Sequence, residues 1–147
     1  MVDLEIEYLV KSEIKINKKV IGNLIDIIFK DEKCIPGKIN VIIASNNYVK
    51  KINKRFLSHN YNTDIITFAE NKKDIINGEL FISIDKVIEN ADIYSNGNKR
   101  KELSRVIIHG ILHLLGYEDY NSNLGNKMRN KEDYYLLLIK NESKDEL

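Results

Sequence analysis

The segment IIHGILHLLGYED, residues 107–119, lies within the longest apolar run of the chain. A helix that is apolar on every side has no face to offer water and must be packed inside the fold. The rest of the chain must supply the layers that cover it. Two imidazoles, His109 and His113, interrupt this run four residues apart. On an α-helix, residues i and i+4 share one face with Cβ atoms ~5–6 Å apart. Both rings can therefore present a nitrogen to one ion, as helical His-x-x-x-His metal sites do. Gly116 comes three residues after the second histidine, and glycine readily takes the left-handed conformation that ends a helix and turns the chain back. Asp119, three residues further on, can then swing round as a third ligand. Two imidazoles and a carboxylate leave coordination positions open, which describes a catalytic site rather than a structural one. The competing reading is a hydrogen-bonded histidine pair in a core. The glycine turn and the delayed carboxylate weigh against it. Zinc proteases place a glutamate directly after the first histidine as general base. Here that position is Gly110, so a peptidase would lack its base.

Length and composition set the frame for this helix. At 147 residues the chain has a one-domain length, enough for a core without disulfides. A net charge of +1 announces no global field for nucleic acid or membrane, so any basic surface has to be local. The lone Cys34 excludes an internal disulfide and a cysteine-built metal site, which fits a reducing cytoplasm. MVDLEIEYLV carries acids where a signal peptide needs a basic flank. No apolar run reaches the ~18 residues of a membrane span. The final KDEL matches a retrieval address for the endoplasmic reticulum, but nothing here would send the chain into that pathway, and it reads as a polar tail.

From Val2 to Val10 every even position is apolar, the period of a half-buried strand. Apolar residues from Val20 to Ile28 recur at helical spacing, predicting a helix that ends near Glu32. CIPG, with the only proline, is expected to turn the chain before the β-branched strand KINVIIAS, placed centrally in a sheet. Ser45 is placed to cap a helix NNYVKKINKRF. TDIITF and GELFISI are predicted strands joined by a polar loop, ENKKDIIN, and Asp85 is placed to cap a helix through Tyr94. After SNGN come a long helix from about Lys99 to Leu115 and an amphipathic one from about Leu124 to Lys140. The order βαβαββααα predicts one α+β domain over 1–147: a four-stranded mixed sheet with helices packed on it and the histidine pair on a central buried helix.

HGILHLLGYED resembles the signature of the YbeY family of bacterial rRNA-maturation proteins, H-G-x-L-H-L-x-G-Y-D-H. NTDIITF resembles the family's T-D-V-L-S-F segment, GELFISID its G-D-I-x-I-S strand, and MRNKEDYYL its closing helix. The likeness runs in matching order from about Lys38 to Leu138. It implies a metal-dependent, single-strand-specific endoribonuclease in small-subunit (16S) rRNA maturation and ribosome quality control. It also implies a cytoplasmic location and, as partners, rRNA and the small subunit, with a small-subunit ribosomal protein and the assembly GTPase Era besides. By its motif His109 and His113 carry over as ligands of one divalent ion, Zn2+ first, with the third ligand at position 119. Most members have a third histidine there. Asp119 is a harder donor that adds negative charge, so the site should be less electrophilic or prefer another ion. Many members also carry an arginine before the T-D segment, and counting back from Thr63 and Asp64 that position is Leu57.

For RNA, Lys50, Lys51, Lys54 and Arg55 lie on one short predicted helix with Tyr48 and Phe56 nearby, and His59 follows them. Lys99, Arg100, Lys101 and Arg105 form a second cluster at the start of the histidine helix. Such clusters neutralise phosphates whatever the base sequence, and adjacent aromatics can stack unpaired bases. Charged helix faces also arise freely in a chain with 23 Lys and Arg. An ion at the three ligands would polarise a phosphoryl oxygen and lower the pKa of a bound water. Asp64 and Glu118 are candidates for the general base, though Asp64 can equally pin its strand, and attack by a ribose 2′-hydroxyl is equally allowed. The alternative function is a non-catalytic ribosome-assembly factor that binds rRNA through its basic helices, which Leu57 and Asp119 favour.

Overall fold

The computed structural model describes residues 1–59 and 63–142. Asn62 of the T-D segment and the terminal KDEL lie outside them. The alternating N-terminal segment forms β1 (Asp3–Tyr8), whose Leu4 is turned into the core. It runs parallel to β2 (Ile35–Ala44), with Leu4 opposite Ile39 and Tyr8 opposite Ile43. On its other side β2 runs parallel to β4 (Ile75–Ser83), and β3 (Ile65–Ala69) closes the sheet antiparallel to β4. The order β1-β2-β4-β3 makes a mixed sheet in which β2 is central, as its β-branched sequence predicts.

Two connections differ from expectation. CIPG is not a turn: Ile35 and Pro36 open β2, and a register shift between Pro36 and Ile39 accommodates the proline, since a bulge is where a strand tolerates a missing N–H. The expected loop is also shorter, because Ile75–Asn77 extend β4 to pair with that same start of β2. Local polarity pointed to loop, and the neighbouring strand overrode it.

Helix starts follow short polar caps. Asn17 accepts from the Val20 N–H at the head of α1 (Lys18–Asp31), and Ser45 caps α2 (Asn46–Leu57) as expected. Ser83, not Asp85, caps α3 (Ile84–Tyr94), accepting from the Lys86 N–H at 3.2 Å. Asp85 instead accepts from the Asn46 N–H at 2.7 Å, tying the start of α2 to α3. Asn98 caps α4 (Lys99–Leu114), and α5 (Ser122–Glu142) begins just after Asn121, two residues before its predicted start.

The apolar helix α4 touches α1, α3, α5, β3 and β4. Leu103, Val106, Ile107, Ile108, Ile111 and Leu112 are all at most 2% exposed, each side chain contributing about 1.5–3 kcal/mol by its burial. One sheet face, through Leu4, Ile39, Val41, Ile43, Leu80 and Ile82, shares this core. The other face carries a small cluster under α2, formed by Ala44, Val49 and Ile66. No helix of the described residues is long and apolar enough to cross a membrane.

Candidate functional site

The C-terminal half of α4 lifts two imidazoles out of this core. His109 and His113 stand edge to face with ring centroids 4.6 Å apart and their Nε2 atoms 3.0 Å apart. Their other nitrogens are tied down. His113 Nδ1 lies 2.9 Å from the Tyr117 carbonyl oxygen, which can only accept, so Nδ1 carries the hydrogen and a neutral ring keeps its lone pair on Nε2. His109 Nδ1 lies 2.7 Å from Glu132 Oε2 and donates to that carboxylate. Both Nε2 lone pairs therefore converge on one point, and two facing lone pairs need a proton or a cation between them. Burial alone would depress the His109 pKa, but the hydrogen bond and charge of Glu132, with Asp64 and Asp119, raise it above the ordinary histidine value.

The turn after α4 brings up the third group. The Tyr117 N–H donates to the Leu112 carbonyl and the Gly116 N–H to that of His113, both at 3.0 Å, the two bonds of a Schellman ending. Gly116 has φ +101°, a conformation that side chains rarely adopt. The chain reverses, and Asp119 Oδ2 comes within 3.3 Å of His109 Nε2 and 3.6 Å of His113 Nε2. One donor atom from each of the three lies within 4.8 Å of the others. Two imidazole nitrogens held in the ligating tautomer and one carboxylate oxygen suit a borderline divalent ion such as zinc.

Gly110 shows why the protease base is missing here. A Cβ at this position would meet Ile65 Cδ1 at 2.6 Å and Leu80 Cδ2 at 2.9 Å, so position 110 faces the sheet. A glutamate there would be driven into the apolar layer, away from both histidines.

A cavity of about 440 Å³ opens over the histidines. Asp64 stands in it with Thr67, His59 and, on the wall formed by α2, Asn53 and Leu57. Burial pushes the Asp64 carboxyl above the ordinary aspartate value, against the pull of His109 and of the backbone N–H groups of Asp64 and Ile65. Its backbone carbonyl accepts from the Ser83 N–H at 2.8 Å, so the residue pins its strand as well. Leu57, where the family pattern leads one to expect an arginine, presents an apolar side chain to the wall. Glu118 is exposed and does not line the cavity.

The expected RNA contacts divide. Lys51, Lys54 and Arg55 are exposed and Lys50 half-buried on the helix whose Asn53 and Leu57 form the cavity wall. The Arg55 guanidinium lies 5.3 Å from the Phe56 ring centroid. Tyr48, Phe81, Phe68 and Phe56 follow one another with centroids 6.4, 5.7 and 5.8 Å apart. Lys99 and Arg100 are exposed, but nine or ten residues of α4 separate them from His109, roughly 15 Å along the axis. The Lys101 N–H there already has a partner in Asn98, whose side chain accepts from it at 3.0 Å. Arg105 corrects the sequence reading outright. It is 7% exposed and donates to Glu132 at 3.3 Å and Asp133 at 2.8 Å, so no phosphate reaches it.

Glu132 is the residue that sequence reasoning missed. It is 4% exposed on α5 and bridges Arg105 to His109, the carboxylate–histidine pairing that fixes a ligand's tautomer. Its one signal in the sequence was its place inside MRNKEDYYL, the segment that resembles the family's closing helix.

The profile of the family described as Endoribonuclease YbeY matches residues 5–140. Relatives named endoribonuclease YbeY include one from Amoebophilus asiaticus, 42% identical over 123 residues that make up 82% of each chain. Another, from Flavobacterium psychrophilum, is 37% identical over 136 residues, 92% of this chain and 96% of that one. Among solved structures, the solution structure of a Thermotoga maritima protein matches with a TM-score of 0.59 at 31% identity, covering 95% of this chain and 92% of that one.

Proposed function

The chain belongs to the YbeY family of endoribonucleases, and we propose that it cleaves single-stranded RNA with the help of one divalent ion, zinc first, in maturation of the small-subunit (16S) rRNA in the cytoplasm. The observation that carries this reading is the convergence of His109 Nε2, His113 Nε2 and Asp119 Oδ2 at the cavity that also holds Asp64. Held by these three, the ion would polarise a phosphoryl oxygen and stabilise the charge that develops on it. Glu132 and the Tyr117 carbonyl keep both rings in the ligating tautomer. Asp64 is the carboxyl placed to accept the proton of the attacking hydroxyl, whether of water or of a ribose, as the phosphodiester bond to the leaving oxygen breaks. Glu118, off the cavity wall, takes no part. Lys50, Lys51, Lys54 and Arg55 grip backbone phosphates at the rim, and His59 meets the strand within the cavity. Partnership with a small-subunit ribosomal protein and with Era is carried by the family likeness alone.

Two features favour a second reading, a non-catalytic assembly factor that binds rRNA. Leu57 leaves the wall without its cation, and Asp119, with its side chain 42% exposed, is the least enclosed ligand. Metal content by elemental mass spectrometry, together with cleavage of single-stranded RNA, separates them. Near one equivalent of metal, lost along with at least about 100-fold in cleavage rate in His113→Ala, is the result expected for the nuclease. Metal-free protein that binds RNA and processes rRNA unchanged in His113→Ala would leave the assembly factor.

A further inference from the structure

We propose that Glu32, just past the C-terminal end of α1, is a positioning residue for the metal centre and acts through Tyr117. The inference rests on the metal reading of His109, His113 and Asp119. Glu32 Oε1 accepts from the Tyr117 hydroxyl, and its Oε2 accepts from Lys131 Nζ of α5 at 3.0 Å. The Lys131 and Lys127 ammonium groups lie 5.3 and 5.8 Å from the Tyr117 ring centroid, over its π-system. The backbone of the same tyrosine holds the metal helix: its N–H bonds the Leu112 carbonyl and its carbonyl receives the His113 Nδ1 hydrogen. One residue thus joins α1 and α5, at the ring, to a ligand's tautomer, at the backbone.

The turn needs such an anchor. Residues 117–119 are neither helix nor strand, and Asp119 is exposed. Gly116 has nothing within 4 Å of where a Cβ would stand, so no packing at the pivot sets the angle at which the chain leaves α4. The Tyr117 ring, clamped at its hydroxyl, sets it instead, and with it the reach of Asp119 two residues later. A purely structural link between α1 and α5 would be served as well or better by apolar packing, because a largely buried carboxylate carries a desolvation cost. Glu32, with its side chain 16% exposed, is retained where an oriented acceptor is needed.

The test uses Co2+ as the metal probe, read by its visible absorption, with NMR of the His113 Nδ1 hydrogen in the metal-free protein. Tyr117→Phe keeps the ring and loses only the hydroxyl. It and Glu32→Ala should each weaken Co2+ binding about 10- to 100-fold, and the double variant no further. Glu32→Gln, which still offers an acceptor, should recover most of the loss. In both weak variants the His113 Nδ1 hydrogen should exchange faster with solvent than in the unmodified chain. Co2+ affinity and exchange that stay unchanged in Tyr117→Phe and Glu32→Ala would overturn the proposal. If the unmodified chain binds no Co2+, the metal reading itself fails, whereas the exchange rate still decides whether Glu32 and Tyr117 hold His113.

Discussion

Two basic segments look alike in the sequence and have opposite fates in the fold. YVKKINKRF and KRKELSR each place four cations on one helix. On α2, Lys50, Lys51, Lys54 and Arg55 ride a helix that covers a small cluster on one sheet face through Val49 and lines the cavity through Asn53 and Leu57. On α4, which the core encloses, Lys99 and Arg100 stay outside, and Arg105, one turn before His109, is drawn into an ion-pair network with the buried Glu102 and Glu132 and the exposed Asp133. The same residue type therefore stays at the surface, where the proposed function needs it for RNA, or becomes an internal counter-ion, according to how much of its helix is covered. Arg105 neutralises the carboxylate that orients His109, so it supports the site from behind.

The largest effect should come from removing Arg105. Arg105→Met leaves Glu132 buried without its cation and should lower stability by about 3–5 kcal/mol, read from denaturant unfolding. Changing Lys51, Lys54 and Arg55 to Ala should leave stability within about 0.5 kcal/mol. A loss of comparable size in both would erase the distinction between the two helices.

The salt dependence of RNA binding distinguishes them next. Each cation that no longer neutralises a phosphate of a single strand should reduce the slope of log K against log salt by about 0.7. Alanine at Lys50, Lys51, Lys54 and Arg55 should therefore flatten the slope by up to about 2.8, and alanine at Lys99 and Arg100 should leave it unchanged. Equal flattening by both sets would return the α4 cluster to the RNA surface.

The smallest effect lies in acid stability and sets two carboxylates side by side. Burial holds Glu102 above its ordinary 4.5, outweighing its Ser95 hydrogen bond and the Arg105 charge. The folded protein binds that proton more tightly, so stability is lost as pH rises from 4.5 through the folded value. Burial acts upward on Glu32 too, but hydrogen bonds from Tyr117 and Lys131 outweigh it and the pKa falls below 4.5. Its contribution is complete above 4.5 and lost as pH falls through the folded value. In thermal melts across the acid range, Glu102→Gln should remove the first slope and Glu32→Gln the second. Melts that respond to neither variant would show that these partners do not distinguish the two groups.

Much of the fold can be read along the chain, because period-two and helical apolar spacing report directly which face of an element is covered. The alternation of 2–10 became β1, and the long helix expected from about Lys99 to Leu115 became the central α4. The structured start of β2 and β4 was not legible. Ile35, Pro36 and Ile75–Asn77 become strand only because each segment finds the other, and pairing between distant segments leaves no local pattern. Ser83 displaced Asp85 as the cap of α3 for a similar reason, since β4 ends one residue before that helix begins and Asp85 is engaged by Asn46.

At the site, the histidine pair, the glycine turn and the delayed carboxylate sit within eleven residues of sequence. Helix period and a positive-φ turn, both local properties, bring them together, so the donor set is written in the sequence alone. What surrounds those donors came only with tertiary packing. Glu132 reaches His109 across 23 residues of chain, and Glu32 reaches Tyr117 across 85. Contacts of that kind depend on which helix packs beside which, and on the burial that turns an arginine such as Arg105 inward. Neither is encoded in any one segment. Both arise when the layers close over α4 and every buried charge must find its partner.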